Sequence, residues 1–276
     1  MTQPASLYAD QPTRQDAPQD ARLRARTLSV AYAQASILSD LTLDIPDGEI
    51  TVIVGPNACG KSTLLRSLAR LQRLSGGQVL LDGKSIHHQR SRGVAQRLAI
   101  LPQSPTAPEG LTVHDLVSRG RTPHQSALQQ WSRQDARAVE QALERTGMAP
   151  LAQRSLEALS GGQRQRAWIA MALAQETDIL LLDEPTTYLD LPHQIELLTL
   201  VQSLNQDSGQ TVAMVLHDIN LAARFASHMI ALRSGEVFAK GRPEQVVTRE
   251  NMAEVFGLKC QIISDPVHAT PHVIPE

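Results

Sequence analysis

The run Ile50-Thr51-Val52-Ile53-Val54 passes without a break into Gly55-Pro56-Asn57-Ala58-Cys59-Gly60-Lys61-Ser62. No other junction in the chain constrains its fold as tightly. A short β-branched, apolar run reads as a strand buried on both faces of a parallel sheet. The octet after it fits G-x-x-x-x-G-K-[ST], and the stretch beyond carries Leu64, Leu65, Leu68 and Leu71 at helical spacing. Strand, glycine-rich turn and helix are the context a phosphate-binding loop requires. Glycines let the backbone turn its N–H groups onto phosphate oxygens, and the helix behind presents its positive end to the same anion. In such a loop Lys61 meets the outer phosphates and the Ser62 hydroxyl ligates Mg²⁺.

Further strands with the same character follow at Ile179–Leu182 and Thr211–Leu216, with helical patterns between them. That alternation makes the class α/β with a βαβ core, a P-loop NTPase architecture. Leu23–Tyr32 and Leu41–Ile45 alternate instead, as half-exposed antiparallel strands do, and the second ends at Pro46-Asp47-Gly48. Met229–Arg233 and Glu236–Lys240 flank Ser234-Gly235 as a closing hairpin. From about Ser104 to Ser160 strand signals vanish and prolines separate helical patterns. Thr112 to Asp115 reads as a capping box, and Arg133–Thr146 as a helix stopped by Gly147. The expected organisation is a disordered leader over 1–21, one domain over 22–257 with a helical insertion near 104–165, and a tail over 258–276.

Bulk properties narrow the function. With 26 basic against 28 acidic residues the formal charge is −2, which argues against holding nucleic acid by bulk charge. The longest apolar run, Ala167–Ala174, is far short of a membrane span, and the N-terminus lacks the basic start and apolar stretch of a signal peptide. Two cysteines make no disulfide framework and point to a reducing compartment.

The strand at Ile179–Leu182 leaves the core into Asp183-Glu184. Two adjacent acids at the exit of a buried strand require compensation by a metal or cation. Asp183 is the natural Mg²⁺ partner, and Glu184, facing the other way, the general base for an attacking water. His217 ends the next strand, where open parallel sheets bind ligands; it is either a γ-phosphate donor or an ordinary satisfied polar residue. Ala58 carries a penalty on the order of 1 kcal/mol if its loop position needs positive φ. Cys59, near Lys61 and loop amides, is either a thiol of raised reactivity that nucleotide protects or an inert packing residue.

Leu159-Ser160-Gly161-Gly162-Gln163 supplies a second backbone-donor site: Ser160 caps a helix over Gln163–Gln175 and the glycines leave its first amides open to an anion. Two incomplete phosphate sites in one domain suggest two copies head to tail, each completing the other. In this the chain resembles the ATP-binding-cassette ATPases over nearly its whole length from Leu23. Gln103 matches their glutamine loop, Leu189-Asp190 the loop that touches the opposite subunit, and Tyr32 the aromatic that stacks on adenine. The resemblance implies ATP and Mg²⁺ as ligands, with nucleotide contacts from Tyr32, Gly55 to Thr63 (Gly55, Pro56, Asn57, Ala58, Cys59, Gly60, Lys61, Ser62, Thr63), Ser160, Gly161, Gly162, Gln163 and Asp190. It implies Mg²⁺ held by Ser62, Gln103 and Asp183, and catalysis by Glu184, His217, Gln103 and Lys61.

Leu159–Gln175, LLLDEPTTYLD with Tyr188 where many relatives carry a small residue, and the stretch Cys260–Glu276 look like the importers for ferric siderophores and cobalamin. That likeness implies a homodimer beneath two permease subunits on the cytoplasmic face of the inner membrane, served by an external substrate-binding protein, with no nucleic-acid partner. Heme or cobalamin as cargo, or a soluble non-transport ATPase, remain alternatives. A P-loop kinase or GTPase has no use for Leu159–Gln163. A DNA-repair cassette needs a long coiled-coil insertion that the sequence lacks.

Overall fold

The computed structural model describes residues 21–32, 35–126 and 131–276. The expected leader lies outside the described residues except for Ala21, which is buried. Strands β1 (Leu23–Tyr32) and β2 (Ala35–Ile45) pair antiparallel, followed by β3 (Ile50–Val54) and helix α1 (Lys61–Leu68). Next come β4 (Gly76–Leu81), β5 (Lys84–Ser85), α2 (Ser91–Ala95) and β6 (Leu98–Leu101). Helices α3 (Val113–Ser118), α4 (Arg133–Arg145) and α5 (Gly161–Ala174) precede β7 (Ile179–Asp183). Then follow α6 (Leu191–Ser208), β8 (Thr211–Val215), α7 (Ile219–Phe225), β9 (His228–Arg233) and β10 (Glu236–Gly241).

The central sheet runs β10-β9-β3-β8-β7-β6, parallel except for β10, and a separate antiparallel sheet runs β2-β1-β4-β5. Alternation along the central strands sorts their side chains into two cores. Val52, Leu180, Leu182, Val212 and Met214 join the helices α3 to α7 on one face. Ile53, Leu181, Ala213 and Val215 face α1 and the antiparallel sheet on the other. A strand covered on both faces has no polar side, which is why its sequence is apolar throughout.

Register sets the site. Ile53 pairs with Val215, and Val215 with Asp183, so three strands end level at one edge. The phosphate loop, the acid pair and His217 all leave the sheet there.

The helical segment behaves as expected at its caps. Thr112 and Ser132 both form capping boxes with the aspartate three residues on, and Gly147 stops α4 at φ 67°. Helix α5 runs on past the expected boundary near 165, burying Ala167 to Ala174 among α3 and α4. One charged group sits inside this layer. Arg121, 1% exposed, donates to Asp135, to Glu176 and to the Ala174 carbonyl, joining a 3-10 turn to the start of α4 and the end of α5.

Three expectations change. Helix α1 ends at Leu68, not Leu71; Arg70 turns to φ 62° and Leu71 is 62% exposed. Strand β2 starts at Ala35, six residues before its apolar alternation becomes regular. The tail pairs as a hairpin, β11 (Cys260–Ser264) with β12 (Pro271–Pro275), and Asn220 of α7 bonds Val273 in both directions.

Candidate functional site

The phosphate loop is built by close approach. A Cβ on Gly55, φ 152°, would lie 2.4 Å from the Leu232 carbonyl oxygen and 2.8 Å from Cys59 Sγ. A Cβ on Gly60, φ 103°, would lie 2.6 Å from the Leu38 side chain. Both glycines are therefore required by packing as well as by backbone angle. The β9–β10 turn braces the loop from outside, Gly235 N donating to the Cys59 carbonyl at 3.1 Å. Lys61 is buried and its Nζ donates to Gly55 O at 2.9 Å and Pro56 O at 2.8 Å. Asn57 and Ala58 are exposed on the rim, and Thr63 lies one turn into α1. Ala58 does take positive φ, 61°, so its methyl carries the left-handed penalty of about 1 kcal/mol.

Cys59 follows the second of its two readings. Burial raises its thiol above the ordinary value, outweighing the pull of Lys61, so the thiolate is disfavoured in this loop. Its side chain is 6% exposed and packs against Gly55 as a small core residue.

Ser62 Oγ donates to Asp183 Oδ1 at 2.8 Å. Asp183 Oδ2 is buried with no hydrogen-bond partner, Arg66 Nε standing off at 3.7 Å. Burial pushes the Asp183 carboxyl above its usual range, with the Ser62 bond and Arg66 opposing. An orphaned carboxylate oxygen beside a hydroxyl fits a hard divalent cation such as Mg²⁺, which takes one or two protein oxygens and completes its shell from phosphate and water.

Glu184 follows Asp183 in a left-handed, strained conformation, φ 52°, and its carboxylate has partners of its own. Three donors converge on its carboxylate. His217 Nε2 lies 2.7 Å from Oε1, while Gln103 Nε2 and Thr187 Oγ1 both donate to Oε2, the latter at 3.2 Å. The structure thus brings Gln103 to Glu184 rather than to the Ser62–Asp183 pair. Thr187 was not singled out in the sequence, though its position three residues beyond a turn-forming acid could have marked it.

The second glycine loop stands at the head of α5. Ser160 and Gln163 close a capping box on each other, at 3.3 and 3.1 Å, and Gly161 has open space around it. A Cβ on Gly162 would meet the His193 ring at 3.1 Å. His193 belongs to α6 and bonds Asp190, the N-cap of that helix, holding the Asp190 carboxyl below its ordinary range. Arg166 pairs with Glu196 and so ties the same two helices together. Tyr32 closes β1 at 49% exposure, its hydroxyl donating to Gln72 at 2.6 Å.

A family model described as ABC transporter matches residues 38–187, more than half of the chain. The chain belongs to the ABC transporter family. The cassette is 57% identical over 90% of its length to the probable siderophore transport system ATP-binding protein YusV of Bacillus subtilis, and covers 90% of it. It is 53% identical to the ferric enterobactin transport ATP-binding protein FepC of Escherichia coli, over 92% of this chain and 94% of that one. Among solved structures, a metal-chelate type ABC transporter in an inward-facing conformation superposes at TM-score 0.79 and 30% identity, covering 92% of this chain and 97% of its own. The dimeric cassette MJ0796 superposes at 0.71 and 28% identity, over 80% of this chain and 98% of that one. Among the described residues of this cassette no helix is long and apolar enough to cross a membrane.

Proposed function

We propose that this cassette is the ATP-hydrolysing subunit of an importer for ferric siderophores, working as a homodimer under two permease subunits on the cytoplasmic face of the inner membrane. The observation that carries the chemistry is the convergence of His217, Gln103 and Thr187 on the Glu184 carboxylate, beside Asp183 and its bond to Ser62 of the phosphate loop. The cargo assignment rests on the relatives named for siderophore and ferric enterobactin transport.

Loop amides from Gly55 to Ser62 hold the phosphates, and Lys61, which now bonds the loop's own carbonyls, turns its ammonium onto the β- and γ-oxygens. Tyr32 offers its half-exposed ring to the adenine. Ser62 and Asp183 would hold Mg²⁺, which would supply positive charge to the phosphates, while Gln103 stands at Glu184. Glu184 orients the attacking water and accepts its proton. His217, just beyond the end of the neighbouring strand β8, then donates to the γ-phosphate. Ser160, Gly161, Gly162 and Gln163 complete the site of a second copy, with Asp190 beside them. Triphosphate bound by both copies favours the closed pair because it contacts both; the diphosphate loses that bridge. An external binding protein delivers the cargo to the permeases.

Uptake tests the reading. A strain lacking this chain should fail to accumulate labelled ferric siderophore, and the wild-type chain should restore uptake while Lys61→Ala does not. Restoration of labelled heme or cobalamin uptake instead would reassign the cargo; hydrolysis without any uptake defect would remove the transporter role.

A further inference from the structure

Tyr32 is the last residue of β1 and is 49% exposed. A half-exposed ring at a strand end keeps several rotamers open unless something outside the strand holds it. Here the hold comes from Gln72. The Tyr32 hydroxyl donates to its Oε1 at 2.6 Å, and its Nε2 donates to the Arg73 carbonyl at 3.3 Å. The second bond orients the amide with its oxygen toward the tyrosine. Gln72 is placed in turn by the way α1 ends. Arg70 takes φ 62° with its N–H on the Ser67 carbonyl at 3.0 Å, and Leu71 N donates to the Arg66 carbonyl at 2.8 Å, so the turn folds back onto the helix. The phosphate loop leads into the other end of the same helix, whose eight residues span about 12 Å. One helix therefore carries the phosphate cradle at its head and the tyrosine's anchor just past its foot.

We infer that Gln72 is a positioning residue for the adenine nucleotide, holding the Tyr32 ring in the pose that stacks on the base. This rests on the reading that Tyr32 faces the adenine, and it names what fixes the ring and ties it to the phosphate end of the site. A ring ordered before the nucleotide arrives loses less rotamer freedom on binding, so affinity for the base rises without a new contact. A ligand made of phosphate alone gains nothing from it.

The test is calorimetric titration of the full chain with Mg-ADP, which carries the base, and with Mg-pyrophosphate, which lacks it. Gln72→Leu should weaken Mg-ADP binding about 3–10-fold and leave pyrophosphate binding as it is. Tyr32→Phe keeps the ring and removes the same bond from the other side. It should cost as much, and the double variant no more than either. Gln72→Glu keeps an acceptor for the hydroxyl and should bind Mg-ADP nearly as the wild type does. Unchanged Mg-ADP affinity in Gln72→Leu, additive losses in the double variant, or a Gln72→Glu chain as weak as Gln72→Leu overturns the inference. Equal weakening of Mg-ADP and pyrophosphate overturns it too, because Gln72 would then serve the phosphate loop through α1. If Gln72→Leu fails to fold, Tyr32→Phe with the same two ligands decides alone. Tyr32→Ala separates this inference from the reading beneath it. Weak Mg-ADP binding by Tyr32→Ala beside wild-type binding by Tyr32→Phe removes Gln72 only, whereas wild-type binding by Tyr32→Ala removes the adenine contact as well.

Discussion

Two glycine-rich loops head two helices in this chain, and they differ in what supports them. The loop at Gly55–Ser62 is fed by a buried strand, braced by Leu232 and Gly235, and keeps its lysine bonded to its own carbonyls. The loop at Ser160–Gln163 follows a short 3-10 turn, caps itself with one serine and one glutamine, and faces open space at Gly161. The first is a finished cradle in a single chain. The second offers donors but no enclosure, which is why we read it as one half of a site shared with a second copy. Burial and bracing, rather than glycine content, distinguish the two loops.

The largest expected effect lies on the finished side. Glu184→Gln removes the proton acceptor while keeping Gln103 and Thr187 in place, and turnover should fall about 10²–10⁴-fold with ATP binding retained. Phosphate release and equilibrium binding measure the two; normal turnover would move the base elsewhere. Ser160→Arg attacks the open loop. Hydrolysis should drop on the order of 10²-fold while ATP binding by the monomer is spared, because nothing on the phosphate loop changes. Equal hydrolysis in mutant and wild type would dissolve the contrast between the loops.

Asp183→Asn sharpens the comparison through stability. The folded, nucleotide-free chain holds the Asp183 proton more tightly than the unfolded chain does. Stability from that proton is therefore full below the ordinary carboxylate range and lost as pH rises through the raised value. Asparagine keeps the acceptor for Ser62 and removes the buried charge. Denaturation should show a gain of about 1–2 kcal/mol at neutral pH and a flatter profile in mild acid, with Mg²⁺-dependent hydrolysis lost. The smallest effect belongs to Ala58→Gly: relief of about 1 kcal/mol of strain, mostly offset by a freer unfolded chain, for a net gain below about 0.5 kcal/mol in melting experiments.

Which features were legible follows from the same contrast. The strands ending at Val54, Asp183 and Val215 announced themselves because burial on both faces leaves no polar residue to blur them. The caps at Thr112, Ser132 and Ser160 are local, and the first and third could be assigned from four residues each. Strand β6 is four residues long and β4 begins with two glycines, so neither carries a usable period; each is specified by the neighbour it pairs with. The hairpin at 260–275 is half exposed, and what anchors it is distant in sequence: Cys260 and Val273 enter the core and Asn220 bonds its second strand. Cys59 was ambiguous because charge and burial act oppositely on a thiol, and only the packing decides between them.

Arg121 has a mechanical consequence. Pulling a sealed guanidinium away from its carboxylates forfeits about 3–5 kcal/mol, so the elbow between the 3-10 turn, α4 and the end of α5 is welded rather than hinged. A swing of the helical lobe must then be taken up on its other flank, where the segment after β6 that carries Gln103 enters it, and a displacement felt at that flank reaches Glu184 through one side-chain amide.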